Sequence, residues 1–165
     1  MDNLINSERA WYGLPALYCN SNLQEVAHWH TFDQNSWKNI GGNFYDPYCG
    51  MHSWPYSNEY PYKQCCYERD GMECMWYKPD ELGNSEALED KHYLAKFLYS
   101  GYSVGGLGFE ITCWTEGTIT EDFAMDCWRR SSYHMDVILT RGQWSNLAQF
   151  GCYIDYSFAN CWFAY

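Results

Sequence analysis

The chain is poor in basic residues and has no long apolar run. Its 165 residues include 10 Lys and Arg against 21 Asp and Glu, which gives a formal net charge of −11. Negative charge of this size opposes binding to phosphate backbones, and no basic stripe offsets it, so we expect no nucleic-acid partner. No stretch reaches the roughly 18 apolar residues of a membrane-spanning helix, so we expect no membrane span.

Paired CxxC motifs and a signal-like beginning are also missing. The nine cysteines do not form the CxxC…CxxC array of a zinc ribbon. We therefore expect disulfides in a secreted, extracellular protein, with the odd cysteine free or bonded between chains. Met1-Asp2-Asn3 carries neither a basic head nor an apolar stretch. Three explanations remain open: the sequence is that of the processed chain, the protein is exported by another route, or the predicted extracellular compartment is wrong.

What the chain has in excess is aromatic residues, which make up 20% of it, with 16 Tyr and 9 Trp. Such side chains combine a large apolar face with a polar tip, so they suit both cores and contact surfaces. A Tyr-rich core and a contact surface for sugars, lipids or like subunits both remain open.

Apolar spacing, caps and breakers predict the order of elements. We expect a helix over 2–12 and a second from a cap at Asn20 or Ser21 to about residue 35. The later elements are a loop over 39–64, a short helix within 65–82, a helix over 85–99, a strand over 109–115, a helix over 119–131 that Thr118 and Glu121 cap as a capping box, and a β-hairpin over 150–165. Helices and strands in this order predict a layered α+β fold.

Cysteine positions suggest two disulfides. Cys152 and Cys161 can face each other across the predicted hairpin. Adjacent cysteines usually have different distant partners, so Cys49 can pair with either Cys65 or Cys66 across the long loop. The sequence does not choose between these two.

Two histidines and one carboxylate, far apart in the chain, form the candidate site. His52 lies in Met51–Trp54, Glu110 in Gly108–Ile111, and His134 ends the segment that begins at Trp128. Two imidazoles and a carboxylate can bind a divalent metal ion or a polar head group. If the metal is Zn²⁺, one coordination site is left for water. Alternatively, they form a hydrogen-bonded network that positions the loop at 49–54 against the sheet. His30, on an apolar helix face, is expected to be a core histidine.

Several segments, in their order along the chain, carry a resemblance to a known family. They are Ile5–Arg9, Gly13–Leu17, Leu23–Asp33, Cys49–Trp54, Cys65–Tyr67, Met75–Leu82, Gly108–Ile111, Trp128–Leu139 and Phe150–Phe163. Together they resemble the CAP superfamily (cysteine-rich secretory protein, antigen 5, pathogenesis-related 1), and within it the SCP-like extracellular type. The resemblance covers most of the chain.

The resemblance implies one CAP-like domain over 1–165, a three-layer α-β-α sandwich with a central antiparallel sheet, and an insertion over 84–104. It also implies a cavity lined by two histidines and two acids. His52, Glu110 and His134 match three of these residues, and Ser131 stands where animal members have the second acid.

Three functions follow as hypotheses. The first is a secreted CAP-type module whose cavity binds a lipid, another small ligand or a partner protein; the resemblance implies binding and seldom catalysis. The second is a structural subunit of an extracellular assembly or filament, a homo-oligomer. The odd cysteine supports it, as would the alternating end Cys161–Tyr165 if it lies at an open sheet edge; the alternative, slightly favoured, is an edge strand already buried by its own domain. The third is a metal-assisted hydrolase with His52 or His134 as base, for which no clear nucleophile is present.

Overall fold

A computed structural model describes residues 1–55, 64–71, 74–75 and 108–165 of the chain. The elements in this part are α1 (Asp2–Trp11), β1 (Tyr18–Cys19), α2 (Ser21–Asn39), α3 (Tyr67–Asp70), β2 (Phe109–Trp114), α4 (Glu121–Arg129), α5 (Ser132–Ile138), a short 3-10 helix (Gly142–Trp144), β3 (Gln149–Asp155) and β4 (Phe158–Ala164). The protein therefore has the α+β class that was expected. The predicted helix over 85–99, the insertion over 84–104 and much of 65–82 lie outside the described residues.

The four strands form one sheet in the order β1-β3-β4-β2. β3 and β4 are the predicted hairpin, and β2 pairs antiparallel with β4. β1 runs parallel to β3, so the sheet is mixed and the prediction of an antiparallel sheet was wrong at this edge. A strand of two residues shows no alternating pattern, and its direction is fixed by bonds from Tyr18 N to Ala148 O and from Asn20 N to Phe150 O.

The last strand lies inside the sheet. All seven residues of β4 are buried, and the strand pairs with a neighbour on each side. Both alternatives for Cys161–Tyr165, an open edge and an edge buried by its own domain, placed this strand at an edge and were therefore wrong, because its apolar side chains pack on both faces of the sheet. Among the strands that the structure describes, β1 and β2 are the edges of the sheet.

Side chains of β4 alternate between two buried clusters, one on each face of the sheet. Ala159, Cys161 and Phe163 pack in a cluster with residues of α1, α4 and α5. Trp162 and Ala164 pack against the α2 side, in a cluster that includes Val26. Helices therefore cover both faces, and the complete three-layer sandwich of the CAP family stays a prediction.

The close packing of α2 depends on a glycine. A Cβ added to Gly151 of β3 would lie 2.1 Å from the backbone nitrogen of Gln24. Since that neighbour is backbone and cannot move aside, a larger residue at this position would push α2 off the sheet. The position of α2 matters for the site, because this helix holds the loop that carries one of the candidate residues.

Side-chain caps set where the helices begin. Asn20 caps α2 by accepting hydrogen bonds from Asn22 N and Leu23 N. The cap of α4 is Thr120 and not the predicted Thr118, because Thr120 Oγ1 accepts from Phe123 N. Ser131 caps α5. The predicted single helix over 119–131 is thus followed at once by a second helix with its own cap.

Four disulfides are present: Cys49–Cys66, Cys65–Cys74, Cys113–Cys127 and Cys152–Cys161. The first and the last agree with the pairs suggested by the sequence. All nine cysteines lie among the described residues, and the one left over is Cys19, which is exposed. Over the described ranges, no helix has the length and apolar character to cross a membrane.

Candidate functional site

A cavity of about 850 Å³ opens at the β2 edge of the sheet. Its walls come from the loop before Trp54, from α3, β2, α5, the 3-10 helix and the end of β4. His52, Glu110, Ser131 and His134 all line it, so the structure brings the four predicted residues to one place. The volume falls within the usual range for small-molecule sites.

Glu110 forms the floor of the cavity. Alternation along β2 turns it to the same face as Thr112, and it pairs across the sheet with Trp162. Its side chain is only 7% exposed, and Oε1 lies 2.5 Å from Nδ1 of His52. The second oxygen, Oε2, is buried and has no hydrogen-bond partner among the described residues. A buried carboxylate therefore keeps one unused acceptor at the cavity.

His52 is carried by a loop that is held from several sides. Its neighbour Ser53 receives a hydrogen bond from Tyr67 N at its hydroxyl, and Ser53 O lies 3.0 Å from Nε2 of His30. Gln34 donates to Met51 O at 2.7 Å. His30 is fully buried and stacks on a tryptophan ring, as expected for a core histidine. Its role is to position the backbone beside His52.

One disulfide and one pair of backbone hydrogen bonds close the same loop. The disulfide Cys49–Cys66 joins its start to the residue before α3. Trp54 and Cys65 exchange backbone hydrogen bonds of 2.8 and 3.0 Å. Because both ends of the loop are fixed, the half-exposed imidazole of His52 is presented to the cavity on a rigid support.

His134 approaches from the first turn of α5. Its ring centroid lies 6.3 Å from that of His52, and its backbone nitrogen donates to the hydroxyl of Ser131 at 3.3 Å. Nδ1 of His134 is buried and, within the described ranges, has no hydrogen-bond partner. His134, a residue of the cavity wall, thus has a second buried polar atom with unused hydrogen-bonding capacity.

The three titratable side chains shift one another. The charge of Glu110 raises the pKa of His52, which burial alone would lower, and the hydrogen bond between them adds to the rise. Burial opposes the charged form of Glu110, but His52, with smaller effects of His30 and His134, outweighs it and lowers the pKa. Burial lowers the pKa of His134, against the attraction of Glu110. His52 is the imidazole that holds a proton more readily, and His134 favours the neutral form.

The described residues do not fit a resident metal ion. In the ranges that the structure covers, no group of three or more His, Cys, Asp or Glu side chains is arranged to hold one. Oε1 of Glu110 and Nδ1 of His52 already bond to each other, and Ser131 uses its hydroxyl as a helix cap. These contacts therefore do not support the metal-assisted hydrolase.

Aromatic rings make up much of the remaining wall, which the sequence analysis did not foresee. The lining rings are Tyr67, Phe109, Tyr133, Trp144, Trp162 and Tyr165. Phe109 packs edge-on against Trp144 at 4.4 Å between centroids, and Tyr133 is 82% exposed at the rim. The high aromatic content was the available signal, but it did not say which rings would gather here.

Comparison with known proteins shows the fold and nothing finer. No protein-family model matches the chain, and no curated protein matches it. A solved structure that is similar is that of an outer surface protein from Borrelia burgdorferi, with a TM-score of 0.53 over 98% of this chain and 86% of that chain. The identity is 11%, so the likeness concerns the fold alone.

Proposed function

We propose that this protein is an extracellular CAP-type binding module whose cavity at the β2 edge holds a small ligand with an apolar body. The oxidised cysteines support an oxidising location, since such bonds persist outside the cytosol. The similar fold belongs to a protein described as an outer surface protein, which agrees with that location. The CAP assignment itself rests on the resemblance of the sequence motifs.

The observation that carries this proposal is the pairing of a large ring-lined cavity with unused buried polar atoms. Glu110 and His134 both line the cavity, and Oε2 of the one and Nδ1 of the other are buried without partners among the described residues. Leaving such atoms unbonded costs stability, and a bound ligand or water recovers it. Apolar rings with a few convergent polar groups are the usual composition of a ligand pocket.

The test is a fluorescence titration with N-phenyl-1-naphthylamine, a neutral lipophilic probe. We expect saturable binding at one site per chain. Gln143 lines the cavity and is exposed, so Gln143→Trp should fill the mouth and weaken binding at least about tenfold without disturbing the core. Asn146→Trp is the matched control, because Asn146 is exposed and is not among the lining residues. Equal binding by both variants would contradict the proposal.

Self-association is a second candidate function, favoured by one observation. Cys19 is exposed on the edge strand β1, next to Tyr18, which is 70% exposed. An unpaired strand edge with a free thiol can join a second copy. Light scattering after size exclusion, with and without reductant, tests this: a monomer under both conditions at high concentration would exclude it, and a Cys19→Ser variant is the control for a disulfide-linked dimer.

A further inference from the structure

The charges that line the cavity have one sign. Glu68, Asp46 and Glu110 are lining residues, while none of the lining residues that the structure describes is Lys or Arg. Asp46 lies near enough to Arg69 for the two charges to interact, so Glu68 and Glu110 contribute more than Asp46 to the negative potential of the cavity. Of the three lining carboxylates, only that of Glu110 is paired with an imidazole, that of His52, so the wall keeps an excess of negative charge, and its concave shape concentrates the negative potential.

Glu110 supplies an independent sign of a missing partner. Its side chain is more than nine-tenths buried, and His52 occupies only one of its two oxygens. Oε2 accepts no hydrogen bond from any described residue. A buried carboxylate oxygen has room for further donors, and an ammonium group is the ligand group that supplies both hydrogen-bond donors and opposite charge.

The rings around this carboxylate suit the same kind of ligand. Trp162 is the cross-strand neighbour of Glu110, and Phe109 and Trp144 form an edge-to-face pair in the wall. The face of an aromatic ring attracts a cation and also covers an apolar body. Both parts of an organic amine therefore find complementary surface, whereas a carboxylate or phosphate head would meet the lining carboxylates and only one imidazole that favours its proton, His52, which Glu110 already pairs.

We propose that the cavity takes a cationic ligand, an organic amine with an apolar or aromatic body, whose charged head lies at Oε2 of Glu110 and whose body contacts the ring wall. This rests on the proposed function, because it assigns a ligand class to the same cavity. It goes further by excluding anionic lipids and anionic sugars as the preferred ligands.

Three probes of one shape and different charge test the inference: 4-phenylbutylamine, 4-phenylbutan-1-ol and 4-phenylbutyrate, each titrated by calorimetry at neutral pH and low salt. The amine should bind at least about tenfold tighter than the carboxylate, with the alcohol between them, as expected for a partly shielded charge contact. Raising the salt concentration should reduce the difference in affinity between the amine and the carboxylate.

Substitutions of single carboxylates show which residues cause the preference for the amine. Glu68→Gln should weaken the amine about threefold and leave the alcohol unchanged, because Glu68 is exposed and its replacement keeps the shape. Glu110→Gln should weaken the amine more, about tenfold. Glu116→Gln is the matched control: Glu116 is exposed and is not a lining residue, so both affinities should stay as in the wild type.

The outcomes separate this inference from the proposed function. Equal or tighter binding of the carboxylate would overturn the charge preference while leaving a binding cavity in place. Binding of the neutral naphthylamine without binding of any of the three probes would also overturn the charge preference while leaving a binding cavity in place. If neither the naphthylamine nor these probes bind, the proposed function fails together with the inference.

Discussion

Glu110 and Thr112 lie two residues apart on the same face of β2, yet they belong to two different polar regions. Thr112 accepts a hydrogen bond from Gln34, which in turn accepts one from Asn160, and Asn160 also donates to Thr31. All four side chains are buried under α2. We call these four residues the inner network. Its bonds join α2 to the sheet and leave no access for a ligand.

The cavity cluster of His52, Glu110 and His134 differs from the inner network in access. His52 is half exposed, and Glu110 and His134 each keep one buried polar atom without a described partner. Asn160 Oδ1 of the inner network is likewise buried without a described partner, so access is what separates the two regions: the inner network joins α2 to the sheet, whereas the cavity cluster lines an open cavity. Polar side chains of one strand face can thus serve stability at one position and recognition at the next.

The largest expected effect falls on the inner network. Asn160→Ala removes two buried hydrogen bonds and leaves Gln34 Oε1 without this donor, which should lower the free energy of unfolding by about 2 to 3 kcal/mol. Urea denaturation measures this change. The naphthylamine affinity of the folded variant should stay the same. The exposed Asn146→Ala is the control and should change stability by less than about 0.5 kcal/mol.

A smaller loss is expected from the cavity cluster. His52→Ala leaves the buried carboxylate of Glu110 without its partner and should cost about 1 to 2 kcal/mol of stability. In a Glu110→Gln background the same substitution should cost much less, because no charge is stranded. A double-mutant cycle by urea denaturation gives the coupling. Additive costs would show that the two side chains do not stabilise each other.

The pH dependence of this pair has a definite sign. The raised pKa of His52 adds stability that is complete below the ordinary value of 6.5 and is lost as the pH rises through the folded value. The lowered pKa of Glu110 adds stability that is present above the ordinary value of 4.5 and is lost as the pH falls through its folded value. The stability difference between wild type and His52→Gln should therefore be greatest between these two values. A maximum well above neutral pH would contradict this pairing.

The smallest expected effect concerns zinc. After dialysis against a chelator, calorimetric titration with Zn²⁺ should give no one-to-one binding signal at the cavity, because no group of three or more His, Cys, Asp or Glu side chains among the described residues is arranged to hold a metal ion, and His52 Nδ1 is already bonded to Glu110 Oε1. Adding zinc should also leave the melting temperature unchanged. Stoichiometric binding that is lost in His134→Ala would restore the metal hypothesis.

The sequence predicted elements that are specified locally. A cap at Asn20 or Ser21, the hairpin over 150–165 and the Cys152–Cys161 pair follow from neighbouring residues; the hairpin and the pair are present, and Asn20 is the cap. β1 was missed because two residues have no period, and its pairing with β3 depends on residues about 130 positions away. The cap of α4 was misplaced because Thr118 and Thr120 are both able to cap, and only packing selects one.

The site was predictable where motifs named its residues, and not where packing built its walls. His52, Glu110 and His134 line one cavity, as the resemblance implied, although their ligand-binding role stays a prediction. Trp144 and Tyr165 could not be assigned to the wall, because their position depends on how the 3-10 helix and the chain end pack against Phe109. The supporting bond of His30 to Ser53 was missed for the same reason.

Chemical-shift mapping compares the two polar regions in one experiment. The protein labelled with ¹⁵N is titrated with N-phenyl-1-naphthylamine while the backbone amide signals are followed. The largest shifts are expected at His52, Glu110 and His134, with little change at Thr31 and Asn160. Shifts concentrated at the backbone amides of Trp11 and Tyr18, whose rings are exposed, or the absence of saturable shifts, would contradict a binding role for the cavity.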